Sequence, residues 1–261
     1  MVTHNNRSLS IAIRPAATEL YDKAMDLSTK LSIPLIQRET KEYEFLLICS
    51  ADGLALQQNG KKGLGPIMIS FTSPAMTYRI KHGGGRKQAL ARAVGLKKGW
   101  QPTVIDATGG LGRDGFILAC LGCRVHMLER SPVLAVMLED ALQRASQSEF
   151  TAEIISNRLQ FTHADSSIFL QNLLPEDFPD IIYLDPMYPK RTKSSLVKKE
   201  MRILRGLTGD DQDTAALLDM ALTRVRNRVV IKRPRLAPVL SSLMPSHQIT
   251  GKSSRFDVYL I

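Results

Sequence analysis

From Thr103 onward, short apolar runs rich in β-branched residues alternate with stretches whose apolar positions recur at helical spacing, and that alternation admits few folds. The expected strands are Thr103–Ala107, Arg124–Glu129, Leu159–His163, Asp180–Leu184, Arg228–Lys232, a weak one near Gln248, and Phe256–Ile261. Between them, Ser131-Pro132 supplies an N-cap and first-turn pair for a helix running to about Ser146. Asp213 is placed to cap another, with Leu217, Leu218, Ala221, Leu222 and Val225 as its apolar stripe. Strands that alternate with helices build a parallel sheet covered on both faces, because each crossover helix must pack back onto the sheet. The fold class is therefore α/β, with a doubly wound sheet.

The preceding region has a different texture. Leu20, Ala24, Leu27 and Leu31 predict a helix over about Ala17–Leu31. The apolar runs Phe45–Cys49, Leu54–Leu56 and Ile67–Phe71, punctuated by Asp52-Gly53 and Asn59-Gly60, read as strands joined by tight turns. This predicts a small α+β domain over residues 1–78, ahead of a larger one over 79–261. Ser73–His82 reads as a linker leading to Gly83-Gly-Gly85 and a short basic helix that closes at Gly95.

Several classes are excluded. No apolar run approaches the ~18–20 residues of a membrane helix, and the first residues lack the apolar stretch of a signal peptide. Three cysteines are too few for a disulfide framework and suit a reducing, cytoplasmic setting. Cys120 and Cys123, with His126 nearby, superficially resemble a metal half-site. No second cluster completes it, so they read as a helix end and turn with buried thiols, and no metal is expected.

The charge is uneven. Lys plus Arg number 35 against 25 acids, a net of +10. Arg79–Lys98 holds seven bases and no acid. Lys190, Arg191, Lys193, Lys198, Lys199, Arg202 and Arg205 stand against the single Glu200, and Lys232-Arg-Pro-Arg235 adds a third run. Outside these runs the chain is net acidic. Such concentration fits a polyanion-facing side, because lysine and arginine neutralise phosphates whatever the sequence. It favours RNA or DNA over a membrane surface, and makes Lys190–Arg202, Lys232 and Arg233 candidate phosphate ligands.

The loop Asp106-Ala-Thr-Gly-Gly-Leu-Gly-Arg-Asp-Gly115 follows the first strand of the alternating region and opens a helix. Gly110, Gly112 and Gly115 satisfy a dinucleotide-type spacing, and Glu129 ends the next strand nineteen residues after Gly110, where an acid would accept from ribose hydroxyls. A nicotinamide site runs from an apolar strand into its glycines so that pyrophosphate can rest on the helix end. Here Asp106 and Asp114 would repel pyrophosphate yet suit a ligand bearing an ammonium and a sulfonium, which favours S-adenosylmethionine.

The strand Ile181–Leu184 runs into Asp185-Pro-Met-Tyr188, a turn similar to the Asp/Asn-Pro-Pro-Tyr/Phe signature of methyltransferases acting on planar amino groups. The lone pair of an exocyclic purine amine is delocalised into the ring, which makes it a poor nucleophile. The Asp185 carboxylate and the Pro186 carbonyl can accept its two N–H bonds, while Tyr188 can stack on a flipped-out base. Alone, the turn leaves guanine, adenine in DNA and a protein amide open as acceptors.

These segments, with Met127-Leu-Glu-Arg-Ser-Pro132, Leu196-Val-Lys-Lys-Glu-Met-Arg202, Val230-Ile-Lys-Arg-Pro234, Arg255-Phe-Asp-Val-Tyr259 and Gly83-Gly-Gly-Arg86, together resemble the RsmJ family of bacterial small-subunit ribosomal RNA guanine-N2 methyltransferases. The resemblance implies a class I methyltransferase fold, Rossmann-like with its last strand antiparallel, beside a small N-terminal α+β domain. It implies S-adenosyl-L-methionine as cofactor and 16S rRNA or the small ribosomal subunit as partner. It places cofactor contacts at Arg113, Asp114, Glu129, Arg130, Asp165, Ser166 and Asp185. The family tolerates Ser at position 165, where Asp165 could instead accept from the adenine amine.

Overall fold

The computed structural model describes residues 10–60, 65–187, 213–238, 240, 243–251 and 254–261. Described residues up to Ile69 group into one compact unit and those from Ser70 onward into another.

The first unit holds β1 (Ile11–Pro15), α1 (Tyr21–Leu31), β2 (Phe45–Ser50), β3 (Gly53–Gln58) and β4 (Ile67–Met68), with its strands in the order β1-β2-β3-β4. β2 and β3 form a hairpin in which Ser50 pairs with Gly53, whose φ of 123° suits glycine. β1 runs parallel to β2, with Ile11 opposite Phe45. That strand was not expected, because its apolar run, Ile11-Ala-Ile13, is only three residues long. Ile13, Phe45, Leu46, Leu47 and Leu56 are fully buried and form much of this unit's interior.

The second unit begins with α2 (Pro74–His82) and α3 (Ala89–Ala93). The first is a correction: Ser73–His82 is not a linker. Ser73 Oγ accepts the Met76 N–H at 3.3 Å and Pro74 occupies the first turn, so the segment carries the same Ser-Pro start that opens the helix at Ser131. The alternating region follows as β5 (Thr103–Asp106), α4 (Arg113–Cys120), β6 (Arg124–Glu129), α5 (Pro132–Ser146), α6 (Glu149–Arg158), β7 (Leu159–His163), α7 (Ser166–Gln171), β8 (Ile181–Leu184), α8 (Thr214–Leu222), β9 (Arg228–Pro234), β10 (His247–Thr250) and β11 (Ser254–Leu260).

The seven strands lie in the order β10-β11-β9-β8-β5-β6-β7. β5 through β9 are mutually parallel, while β11 is antiparallel to both β9 and β10. The winding leaves β5 in one direction toward β6 and β7, then returns to β8 on its other side. That reversal opens a crevice beyond the carboxyl ends of β5 and β8. On one face Ile105, Leu128, Ile182, Leu184, Leu218, Val229 and Ile231 form a continuous core. Elsewhere in the unit Phe71 stacks on Phe116 of α4 at 4.6 Å between centroids. Each such fully buried side chain stabilises the fold by about 1.5–3 kcal/mol. Cys120 closes α4, and Cys123 lies buried beyond Gly122, its thiol pushed up to about 12 by burial.

Candidate active site

β5 ends at Asp106, which is buried and accepts the Thr108 N–H at 3.2 Å. Burial pushes its carboxyl up to about 8. Beyond it the loop turns through Gly110 (φ 53°) and Gly112 (φ 68°). A Cβ at Gly112 would come within 2.7 Å of Leu138 and 2.9 Å of Phe71, so the loop lies flat on the packed core. A Cβ at Gly115 would stand 2.7 Å from Met127, which is the close helix-to-strand approach that the third glycine of this spacing permits.

Glu129 fastens the rim of this loop. Its two carboxylate oxygens accept the Gly110 and Ser131 N–H groups, each at 2.7 Å, tying the glycine turn to the end of β6. Arg130 is exposed and reaches Asp213, with Nη1 to Oδ2 at 2.9 Å. Asp213 therefore does not cap α8 as expected: it stands at the N-cap position, but its carboxylate is drawn to the guanidinium. At the end of β7, Asp165 accepts from the Ser167 and Ile168 N–H groups and so caps α7. The Ser166 hydroxyl donates to the Ala107 carbonyl at 2.6 Å and thereby fixes α7 to the loop after β5.

The centre of the crevice is a charge cluster. Asp114, in the first turn of α4, receives Arg79 Nη2 on one oxygen at 2.6 Å. The other accepts from Lys232 Nζ at 2.7 Å and from the Tyr183 hydroxyl at 2.8 Å. Lys232 Nζ also donates to Asp185 Oδ2 at 2.7 Å. The Asp185 backbone N–H donates to Thr108 Oγ1 at 2.6 Å, which pins the Asp-Pro turn beside the glycine loop. Burial opposes the Asp114 anion, yet Lys232 and Arg79 overcome it and hold the carboxyl well below the usual range. Burial equally disfavours the Lys232 cation, but Asp185 and Asp114 raise it above an ordinary lysine. Asp185 itself is pushed up by withdrawal from water, an effect that Lys232 partly offsets. Its side chain remains 39% exposed, against 11% for Asp114, so Asp185 faces the crevice while Asp114 sits beneath.

The sequence-derived residues thus divide. Asp106, Gly110, Gly112, Arg113, Asp114, Glu129, Arg130, Asp165, Ser166, Asp185 and Pro186 all stand at or just beyond the carboxyl ends of β5 to β8. Within that set two expected charge roles change: Asp106 is buried and its carboxyl is pushed up to about 8, so it offers no open anion, and neither does Asp114. It is taken up by three protein partners and forms the hub of the cluster, not an open anion awaiting a cationic ligand. The placement of Lys232 and Arg233 as phosphate ligands is also corrected. Lys232 is held between two carboxylates, and Arg233 is buried, with Nη1 3.6 Å from Asp257 Oδ2. Tyr188, Lys190, Arg191, Lys193, Lys198, Lys199 and Arg202 lie outside the described residues. Arg79, Thr108 and Tyr183 were missed. The only signals for them were a base in a supposed linker, a hydroxyl beside the glycines and a tyrosine in an otherwise aliphatic strand.

The donor set suits S-adenosylmethionine. Carboxylates end or follow β6, β7 and β8, at Glu129, Asp165 and Asp185, and the ribose hydroxyls, adenine amine and methionine ammonium of that cofactor are all hydrogen-bond donors. Glu129 stands at the end of β6 against the glycine loop, and that loop is open at Gly110, where an added Cβ would meet only the Thr108 carbonyl, at 3.7 Å.

Comparison with known proteins agrees. The family described as "Putative SAM-dependent methyltransferase" matches residues 27–261. The ribosomal RNA small subunit methyltransferase J of Cellvibrio japonicus is 46% identical over 250 residues, covering 94% of this chain and 92% of that protein. The protein of the same name from Shewanella amazonensis is 51% identical over 217 residues, covering 83% and 87%. Among solved structures, a SAM-dependent methyltransferase from Neisseria gonorrhoeae superposes with a TM-score of 0.73 at 35% identity over 95% of both chains.

Proposed function

Since the chain belongs to the small-subunit ribosomal RNA methyltransferase J family of S-adenosylmethionine-dependent methyltransferases, we propose that it methylates the exocyclic N2 of a guanine in 16S rRNA. The observation that carries this reading is the joining of the Asp185-Pro186 turn to the glycine loop through Thr108, and to the Asp114 cluster through Lys232. Among the described residues no helix is long and apolar enough to cross a membrane, and no group of three His, Cys, Asp or Glu side chains could hold a metal ion. A protein with this substrate works where ribosomes are assembled, in the cytoplasm.

The bound cofactor would supply an electrophilic methyl group on sulfur. Gly110 and Gly112 would admit it to the loop, Glu129 would accept from its ribose, and Asp165 would lie on the adenine side. Arg113, Arg130 and Ser166 would frame the same pocket, Ser166 by holding α7 against the loop. Asp185 would accept one N–H of the guanine amine and the Pro186 carbonyl the other, which turns the nitrogen lone pair out of the ring. Methyl transfer would exchange the methyl–sulfur bond for an N–C bond, leaving S-adenosylhomocysteine and placing positive charge on that nitrogen. The Asp185 carboxylate would stabilise this charge and accept the proton that the nitrogen then loses. Lys232, hydrogen-bonded to Oδ2, would favour the Asp185 anion against its burial and fix the carboxylate in orientation. Tyr188 would stack on the base, and the arm Lys190–Arg202 would neutralise flanking phosphates.

The test is incubation of the protein with tritiated donor and small-subunit ribosomal RNA, followed by digestion to nucleosides. Label in N2-methylguanosine is the expected outcome. Label in methyladenosine, or none in any nucleoside, overturns the proposal.

A further inference from the structure

Helix α2 presents two different sides. Met76 is buried and Arg79, three residues on, reaches into the crevice to pair with Asp114 at 2.6 Å. On its outer side Tyr78 is 67% exposed, the most exposed aromatic side chain among the described residues. One helical turn later His82 lies against it, with ring centroids 4.6 Å apart and planes inclined at 46°. Lys81, next to this pair in sequence, is exposed, as are Arg86 and Lys87 a few residues on. Gly84 (φ 90°) and Gly85 (φ 52°) turn the chain between α2 and Arg86. From Ser70 to Ile105 the sequence contains no acid at all.

A large aromatic ring left in water, stacked against a second ring on a basic, acid-free stretch of chain, has the makeup of a single-strand nucleic acid surface. Base faces stack on aromatic rings whatever the sequence, while nearby cations follow the backbone. A membrane surface is a poorer fit, because no further bulky apolar side chain of α2 accompanies Tyr78 outward. The Arg79–Asp114 pair fixes the distance from this face to the crevice. We propose that Tyr78, backed by His82 and with the exposed lysines Lys81 and Lys87 on the same basic stretch, is a stacking platform for an unpaired nucleotide of the RNA substrate close to the methylated base. The proposal rests on the RNA-methyltransferase reading and adds to it a second RNA contact, on α2, distinct from the arm that follows the catalytic turn.

The experiment uses the full chain and transcribed small-subunit ribosomal RNA. Tyr78→Ala, Tyr78→Trp and the double variant Lys81→Ala with Lys87→Ala are compared for RNA affinity across a salt series, methyl-transfer KM and kcat, and S-adenosylhomocysteine affinity. Tyr78→Ala is expected to raise the RNA KM about tenfold at nearly unchanged kcat and S-adenosylhomocysteine affinity, and Tyr78→Trp to restore it. The lysine pair is expected to flatten the salt slope by about 2. If Tyr78→Ala fails to fold, Tyr78→Trp at wild-type affinity together with the flattened slope supports the platform. Wild-type KM in Tyr78→Ala, or an unchanged slope in the lysine variant, overturns it while leaving the methyltransferase reading intact. Weakened RNA binding with no methyl transfer by any variant, wild type included, would remove that reading and leave the platform standing.

Discussion

At the scale of single residues, the site turns on how charge is shared among Asp106, Asp114, Asp185, Lys232, Arg79 and Tyr183. Asp185→Ala is expected to abolish methyl transfer while S-adenosylhomocysteine affinity stays within about tenfold, ~1.4 kcal/mol. Titration calorimetry checks this, and equal loss of both would make Asp185 chiefly a cofactor ligand. Lys232→Met removes the cation that offsets the burial of Asp185, so the acidic limb of the pH–rate profile is expected to move to higher pH. A superposable profile would show that Lys232 has only a packing role. Asp106 concerns stability instead. Its carboxyl titrates near 3.8 when unperturbed and about 8 when folded. Between those values the folded chain keeps a proton that the unfolded chain releases. Its contribution is therefore complete below about 4 and lost as pH rises through 8. Asp106→Asn should flatten the fall of Tm across that interval, as read by calorimetry at several pH values. Asp185 and the glycines were legible because their motifs are contiguous. The role of Lys232 was not, since a run of bases on a strand is divided by the pleat: Lys232 turns to the crevice and Arg233 to the interior.

At the scale of elements, the strands of the second unit were legible nearly to the residue, because apolar β-branched runs bounded by turns have few other readings. α5 and α2 make an instructive pair. Both open on Ser-Pro, yet only α5 carries a continuous apolar stripe, with eight buried residues against one in α2. A helix that buries so little gives sequence periodicity nothing to register. α6, with only Thr151 buried, was silent for the same reason. The loop between β5 and α4 provides the element-scale prediction. Gly112→Ala must place a Cβ at φ 68° against Leu138 and Phe71, so it should cost about 2–4 kcal/mol. Urea unfolding should show a lower midpoint at an unchanged slope. A midpoint equal to wild type would mean that the loop can lift from the core without penalty.

At the scale of the whole molecule, the uneven charge makes a prediction that no single contact does. Replacing Lys198 and Lys199 by Ala should flatten the salt dependence of RNA binding by ~1–2 units, measured by filter binding, and an unchanged slope would remove that arm from the interface. The position of β11 has a further consequence, for synthesis of the chain. β9 and β10 are both translated before the strand that joins them, so a growing polypeptide carries two open edges until Ser254–Leu260 has left the exit tunnel. Until then β9 and β10 lack the neighbour that pairs with both, and the arrival of that one segment covers one edge of each, leaving β10 and β7 as the borders of the finished sheet.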